Sequence, residues 1–229
     1  MQRVISAVWT APEVDHGISK YPFVVRILLD GQFKNLGTLI SDSLVITSSD
    51  NIVDWQNPNT TTSPKGKIVV ESGTGSSREI DEGIRLGGCG TIAILKLKSP
   101  ISLEGESIKT VELMDKTDRV KAKNEGEIIN WNENHGLRAY GVHDMKHKCG
   151  IYQKNYPELI AICLYACFPS LKDGILPVDG APYMIDGKQA GLVILSEDED
   201  PRVRIKTFAE LAKSDEDGSD TFYPTLLDD

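Results

Sequence analysis

His143, His147 and Cys149 bring imidazole and thiol groups to a spacing that, if helical, would present them to one zinc ion. The other cysteines, Cys89, Cys163 and Cys167, form no paired Cys-x-x-Cys motif. Cys163 and Cys167 are four apart, and no second pair faces them. Four cysteines in 229 residues have neither the count nor the density of a disulfide scaffold. His16 and His135 fall in loop-like sequence and carry no chemical signal. Asn59-Thr60-Thr61 fits the glycosylation pattern within a polar stretch, which matters only for a secreted chain. Ser196 and Ser214 precede acidic runs, Glu197 to Asp200 and Asp215 to Asp217, and could be phosphorylated, but the runs themselves read as solvated loops.

The elements that must position such groups are short and strand-like. Phe23 to Leu29, Leu44-Val45-Ile46, Ile68-Val69-Val70, Ile92 to Leu97, Ile128-Ile129 and Gly191 to Leu195 are apolar, mostly β-branched runs, and Gly, Pro, Asn or Ser bounds most of them. Asp30-Gly31 and Asp186-Gly187 each sit between two such runs, as tight hairpin turns do. Residues 56–66 and 71–79 read as polar loops. Helical periodicity is confined to Tyr156–Ile160 and Thr207–Lys213. No repeat is visible, and the pattern predicts an all-β architecture of sandwich or barrel type.

Composition narrows the function classes. With 40% hydrophobic and 26% charged residues, the chain is an ordinary globular one, long enough for a sizeable core. Its net charge of −9 repels phosphate and argues against nucleic acid as a ligand. No run of eighteen apolar residues exists to span a membrane. Met1-Gln2-Arg3-Val4-Ile5 lacks the apolar core of a signal peptide, so the expectation is either a cytosolic chain or one beginning at the mature end of a secreted protein. Residues 214–229 read as an acidic, flexible tail whose Phe222-Tyr223-Pro224-Thr225-Leu226-Leu227 cluster could dock on the body or on a partner.

Seven stretches, in order, resemble the trypsin-like serine proteases. Tyr21-Pro22-Phe23-Val24-Val25 is similar to the family's opening strand, and Gly37-Thr38-Leu39-Ile40 to its Gly-Ser-Leu-Ile. Leu44-Val45-Ile46-Thr47-Ser48-Ser49-Asp50 follows apolar-apolar-Thr-Ala-Ala-His, with aspartate in place of histidine. Thr91 to Leu97 with Ser99-Pro100 resembles Asp-Ile-Ala-Leu-Leu-Lys-Leu and its proline. Asn130-Trp131-Asn132 stands for Gly-Trp-Gly, and Pro177-Val178-Asp179-Gly180-Ala181-Pro182 for Gly-Asp-Ser-Gly-Gly-Pro. Pro201-Arg202-Val203 resembles Pro-Gly-Val ahead of a last helix. The resemblance spans about positions 20 to 211. It implies two packed antiparallel six-stranded β-barrels, residues 1–118 and 119–213, with a cleft between them and a short C-terminal helix. On that template the stretch around His143, His147 and Cys149 is strand and loop rather than helix, and no metal is expected.

The same resemblance implies that the chemistry is gone. Asp50 takes the base position, Thr91 the orienting acid and Asp179 the nucleophile. Aspartate, with a reference pKa of about 3.9, is a weak base at neutral pH, and threonine brings no charge to stabilise an imidazolium. Pro177 has no N–H for the oxyanion hole, a loss of about 2.7–4 kcal/mol of transition-state stabilisation. Val178 replaces the aspartate that pairs with a freed N-terminus. Asp173 stands where a basic-residue pocket places its acid, with Arg202 and Arg204 replacing pocket-lining residues; one of these arginines is expected to plug the pocket. Cys149 and Cys163 take the positions of one family disulfide, while Asn51 and Ile175 replace other half-cystines.

The expectation is therefore a catalytically inactive pseudoprotease that binds a protein partner, with no cofactor, no metal, no nucleic acid and no membrane. Family resemblance favours a secreted role, as a modulator or decoy in a protease cascade or in host defence. Sparse cysteines leave an intracellular adaptor as the alternative. Asp50 and Asp179 as a repurposed carboxylate pair, for glycosidase or divalent-cation chemistry, is a third.

Overall fold

A computed structural model describes residues 20–49, 52, 61–62, 66–85, 92–104, 107–114, 125–132, 136–143, 165–168, 178–194 and 203–207. Thirteen strands lie among them. The first seven are β1 (Val24–Leu29), β2 (Gln32–Leu39), β3 (Leu44–Ser48), β4 (Thr61–Thr62), β5 (Ile68–Ser72), β6 (Ser77–Arg85) and β7 (Ile92–Leu97). The rest are β8 (Glu125–Asn132), β9 (Gly136–His143), β10 (Tyr165–Phe168), β11 (Pro182–Ile185), β12 (Lys188–Ile194) and β13 (Val203–Thr207).

The first sheet runs β4-β6-β5-β1-β2-β3-β7 and closes on itself, because β6 also pairs with β7. The result is a six-stranded barrel with β4 attached outside it at β6. All its pairings are antiparallel, and bulges at Ile27/Leu28 and Ile80/Glu82 add the curvature that closure needs. The second sheet has six strands in the order β10-β13-β12-β11-β8-β9. One of the two expected barrels is thus established as a barrel, and its companion as a sheet.

Both dipeptide turns form as expected. Asp30 and Gly31 adopt φ of 50° and 78°, and Asp186 and Gly187 adopt 50° and 81°. These are the left-handed pairs that a two-residue hairpin demands, supplied by the residue types that tolerate them. Three expectations require correction. The polar run 71–79 is mostly strand, since β5 continues to Ser72 and β6 begins at Ser77. The stretch 56–66 contains β4. Thr207 ends a strand rather than opening a helix, and the rest of that helix, the Tyr156–Ile160 candidate and the 214–229 tail lie outside the described residues.

Strands β3 and β7 are buried on both faces, which explains their unbroken apolar sequence. Val45, Ala93 and Leu95 point into the barrel, alongside Val25, Ile27, Leu39 and Val70. Leu44, Ile46, Ile92 and Ile94 point outward onto Leu192 and Ile194 of β12. That last cluster joins the barrel to the second sheet. A third core gathers Ile128, Ile129, Tyr183, Met184 and Val193 with Leu36 and Val24 from the barrel. Residues 107–114 strap the halves together: Val111 N–H donates to Leu39 O at 3.0 Å, and Met114 N–H to Gln189 O at 2.8 Å.

Candidate functional site

The site grows from a turn, residues 178–181, between the barrel and the second sheet. Leu36 N–H of β2 donates to Asp179 O at 2.9 Å, and Gly180 N–H donates to Val193 O of β12 at 2.9 Å. Ala181 N–H returns to Val178 O at 3.1 Å. The Leu36 carbonyl in turn accepts from Thr47 Oγ1 at 2.7 Å. Gly180 has φ of 80°, and a Cβ there would lie 2.0 Å from Leu36 O and 2.7 Å from Thr47 Oγ1. Only glycine lets the turn sit this close to β2.

Asn130 of β8 holds the start of the turn. Its side chain is fully buried, and its Oδ1 accepts the Val178 N–H at 2.7 Å. On the barrel side, Asn35 Nδ2 donates to Ser48 O at 3.1 Å. Thr47, Ser48 and Ser49 are all buried at the end of β3. Among the described residues the surroundings include these amides, hydroxyls and backbone groups, and Asp179 is itself buried.

Of the expected site residues, the structure places Asp179 and Val178 in this turn. Asp50 and Thr91 lie outside the described residues, as do Asp173, Pro177, Arg202, Cys89, Cys149 and Cys163. Their sequence neighbours are informative: Ser49 and Ile92 occupy the same end of the paired strands, because Ser48 sits opposite Ile92. Arg204 lies in β13, opposite Cys167 of β10 and Ile194 of β12. His143 ends strand β9, so it does not start the helix that the zinc spacing requires; His147 lies outside the described residues. Asn130 was legible only as an asparagine where the resembled motif has glycine, with no hint that its side chain would reach residue 178.

A second feature is a shallow cleft between β1, β5 and the β8–β9 ends, lined by Val24, Arg26, Glu71, Trp131 and Leu137 among others. Arg26 and Glu71 are ion-paired at its wall. The space it encloses is far below the range of about 300–1,000 Å³ typical of small-molecule sites.

A closed six-stranded barrel, a second sheet and a glycine-bearing turn wedged between them make the fold of the trypsin-like serine proteases. Kallikrein-related peptidase 10 superposes with a TM-score of 0.59 at 15% identity, over 86% of this chain and 96% of its own. The scabies mite inactivated protease paralogue S-D1 gives 0.60 at 18% identity, over 88% of this chain and 94% of its own. HBP gives 0.61 at 16% identity, over 88% and 92%. No protein-family model matches the chain, and no curated protein matches it by sequence. At such identities the likeness establishes the fold alone. Among the described residues, no helix is long and apolar enough to cross a membrane.

Proposed function

We propose that this chain is a catalytically inactive pseudoprotease, a protein-binding module built on the trypsin-like fold. The observation that carries the reading is the content of the closed barrel. Its strands span residues 24–97, and no histidine occurs between His16 and His135. Hydrolysis of a peptide bond by this fold needs a nucleophile, a base within hydrogen-bond reach and an acid to orient that base. Asp50, Thr91 and Asp179 supply none of those groups, and Pro177 has no N–H with which to bind an oxyanion. An inactivated relative in fold, from the scabies mite, is compatible with this reading.

The work then falls to surfaces, and the partner class that fits is a protein, as modulator or decoy in an extracellular protease cascade or in host defence. Asp173 paired with Arg202 or Arg204 would plug the specificity pocket, and Asp173→Ala should then lower stability. The test of inactivity is direct. Fluorogenic peptides should show no turnover and a fluorophosphonate probe no labelling; turnover that Asp179→Asn abolishes would overturn the reading in favour of a repurposed enzyme. Added to an active trypsin-like protease, the chain should change cleavage of protein substrates and leave small peptide substrates alone.

The low cysteine count supports a second reading, an intracellular adaptor. Thiol counting on protein from its natural source separates the two. A Cys149–Cys163 bridge supports secretion, and four free thiols support the cytosol.

A further inference from the structure

Asn130 lies within β8 at a fully buried position. Stripping a carboxamide of water without a partner costs about 1–3 kcal/mol. The 2.7 Å bond from Val178 N–H offsets that cost and ties residue 178 to a strand 48 positions away in sequence. The following residues are tied from other directions: Asp179 O by Leu36 of β2, and Gly180 N–H by Val193 of β12. Val193 N–H also donates to Ala181 O at 2.8 Å. These anchors all belong to strands of the body. Val178 is apolar, so its side chain has no charge with which to hold a terminal ammonium group.

We infer that Asn130 is a built-in clamp that fixes the 178–181 turn as the chain folds, independently of any freshly cut N-terminus. The surface between barrel and sheet is then permanently in one shape. That this surface binds protein rests on the function proposed above; the clamp rests on the geometry of Asn130 alone.

Residue-resolved amide hydrogen exchange on the 229-residue chain tests it, comparing the chain beginning at Met1 with one carrying a short Gly-Ser extension ahead of Met1. The Val178 amide should be protected in both, to the same degree. Asn130→Ala should speed Val178 exchange by about tenfold, as loss of one hydrogen bond implies, while Val45 and Ile94 in the barrel stay unchanged. An exposed Val178 amide in the unextended chain overturns the inference. So does protection lost on extension, or an Asn130→Ala variant within twofold of the parent. If that variant does not fold, the comparison of the two N-termini still decides. Peptidase turnover would sink the proposed function and leave this result untouched.

Discussion

Glu79 sits between two ammonium groups, with Lys67 Nζ at 2.5 Å and Lys98 Nζ at 2.9 Å. Hydrogen bonds from Lys67 and then Lys98 lower its carboxyl from the ordinary 4.5 to about 2. A lowered folded pKa contributes stability that is present above pH 4.5 and lost as the pH falls toward 2. Because the carboxylate lies at the solvent-accessible surface, solvent and salt screen the effect. Carboxyl NMR should find the Glu79 midpoint near pH 2, moving back toward 4.5 in Lys67→Met/Lys98→Met. Among the described residues, Ser48 Oγ is buried without a hydrogen-bond partner, so Ser48→Ala should raise unfolding free energy in urea by about 1 kcal/mol. Gly180 stands at the other extreme. Gly180→Ala combines left-handed strain with a clash on Leu36 O, and should cost about 2–4 kcal/mol in the same assay.

Among the elements, Gly126 of β8 shows how a strand position is dictated by its neighbour. A Cβ there would meet Tyr183 Cε2 at 2.4 Å and Met184 O at 2.6 Å. Gly126→Ala should therefore displace the buried Tyr183 ring and lower the urea midpoint, by about 1–3 kcal/mol of stability. Gly31→Ala has open space around it but keeps φ of 78°, so its cost should be about 1 kcal/mol, from backbone strain alone. Strands buried on both faces, β3, β7 and β12, announced themselves as apolar runs. The hairpins at Asp30-Gly31 and Asp186-Gly187 were equally legible, since left-handed backbone selects residue types. β6, Ser-Arg-Glu-Ile-Asp-Glu-Gly-Ile-Arg, was not, because five charged residues outnumber its two isoleucines, of which Ile80 is buried in the barrel. β8 showed only its two isoleucines, although it extends from Glu125 to Asn132.

At the scale of the molecule, stability depends on the cluster shared between the barrel and the second sheet. Ile46 and Ile94 meet Leu192 and Ile194 there, so neither half can open its face without exposing the other's. Ile46→Ala and Leu192→Ala should each cost about 2–5 kcal/mol. Because both side chains belong to one packed cluster, the double variant should lose measurably less than the sum of the two. Urea unfolding followed by fluorescence and circular dichroism should give coincident transitions for the parent chain. Separated transitions would show that the halves unfold independently.

Sequence by itself determined the strand-rich architecture and the tight turns, because these depend on residue type and local spacing, and it left the barrel strands without an imidazole. It also determined which side chains stand at 177, 178 and 179. Tertiary structure alone decided that β6 returns to β7 to close a barrel, and that Leu36, Asn130 and Val193 converge on one turn. Those partners are scattered through the chain and meet only when two sheets pack. A hydrogen bond between residues 130 and 178 leaves no periodic trace for a sequence to show.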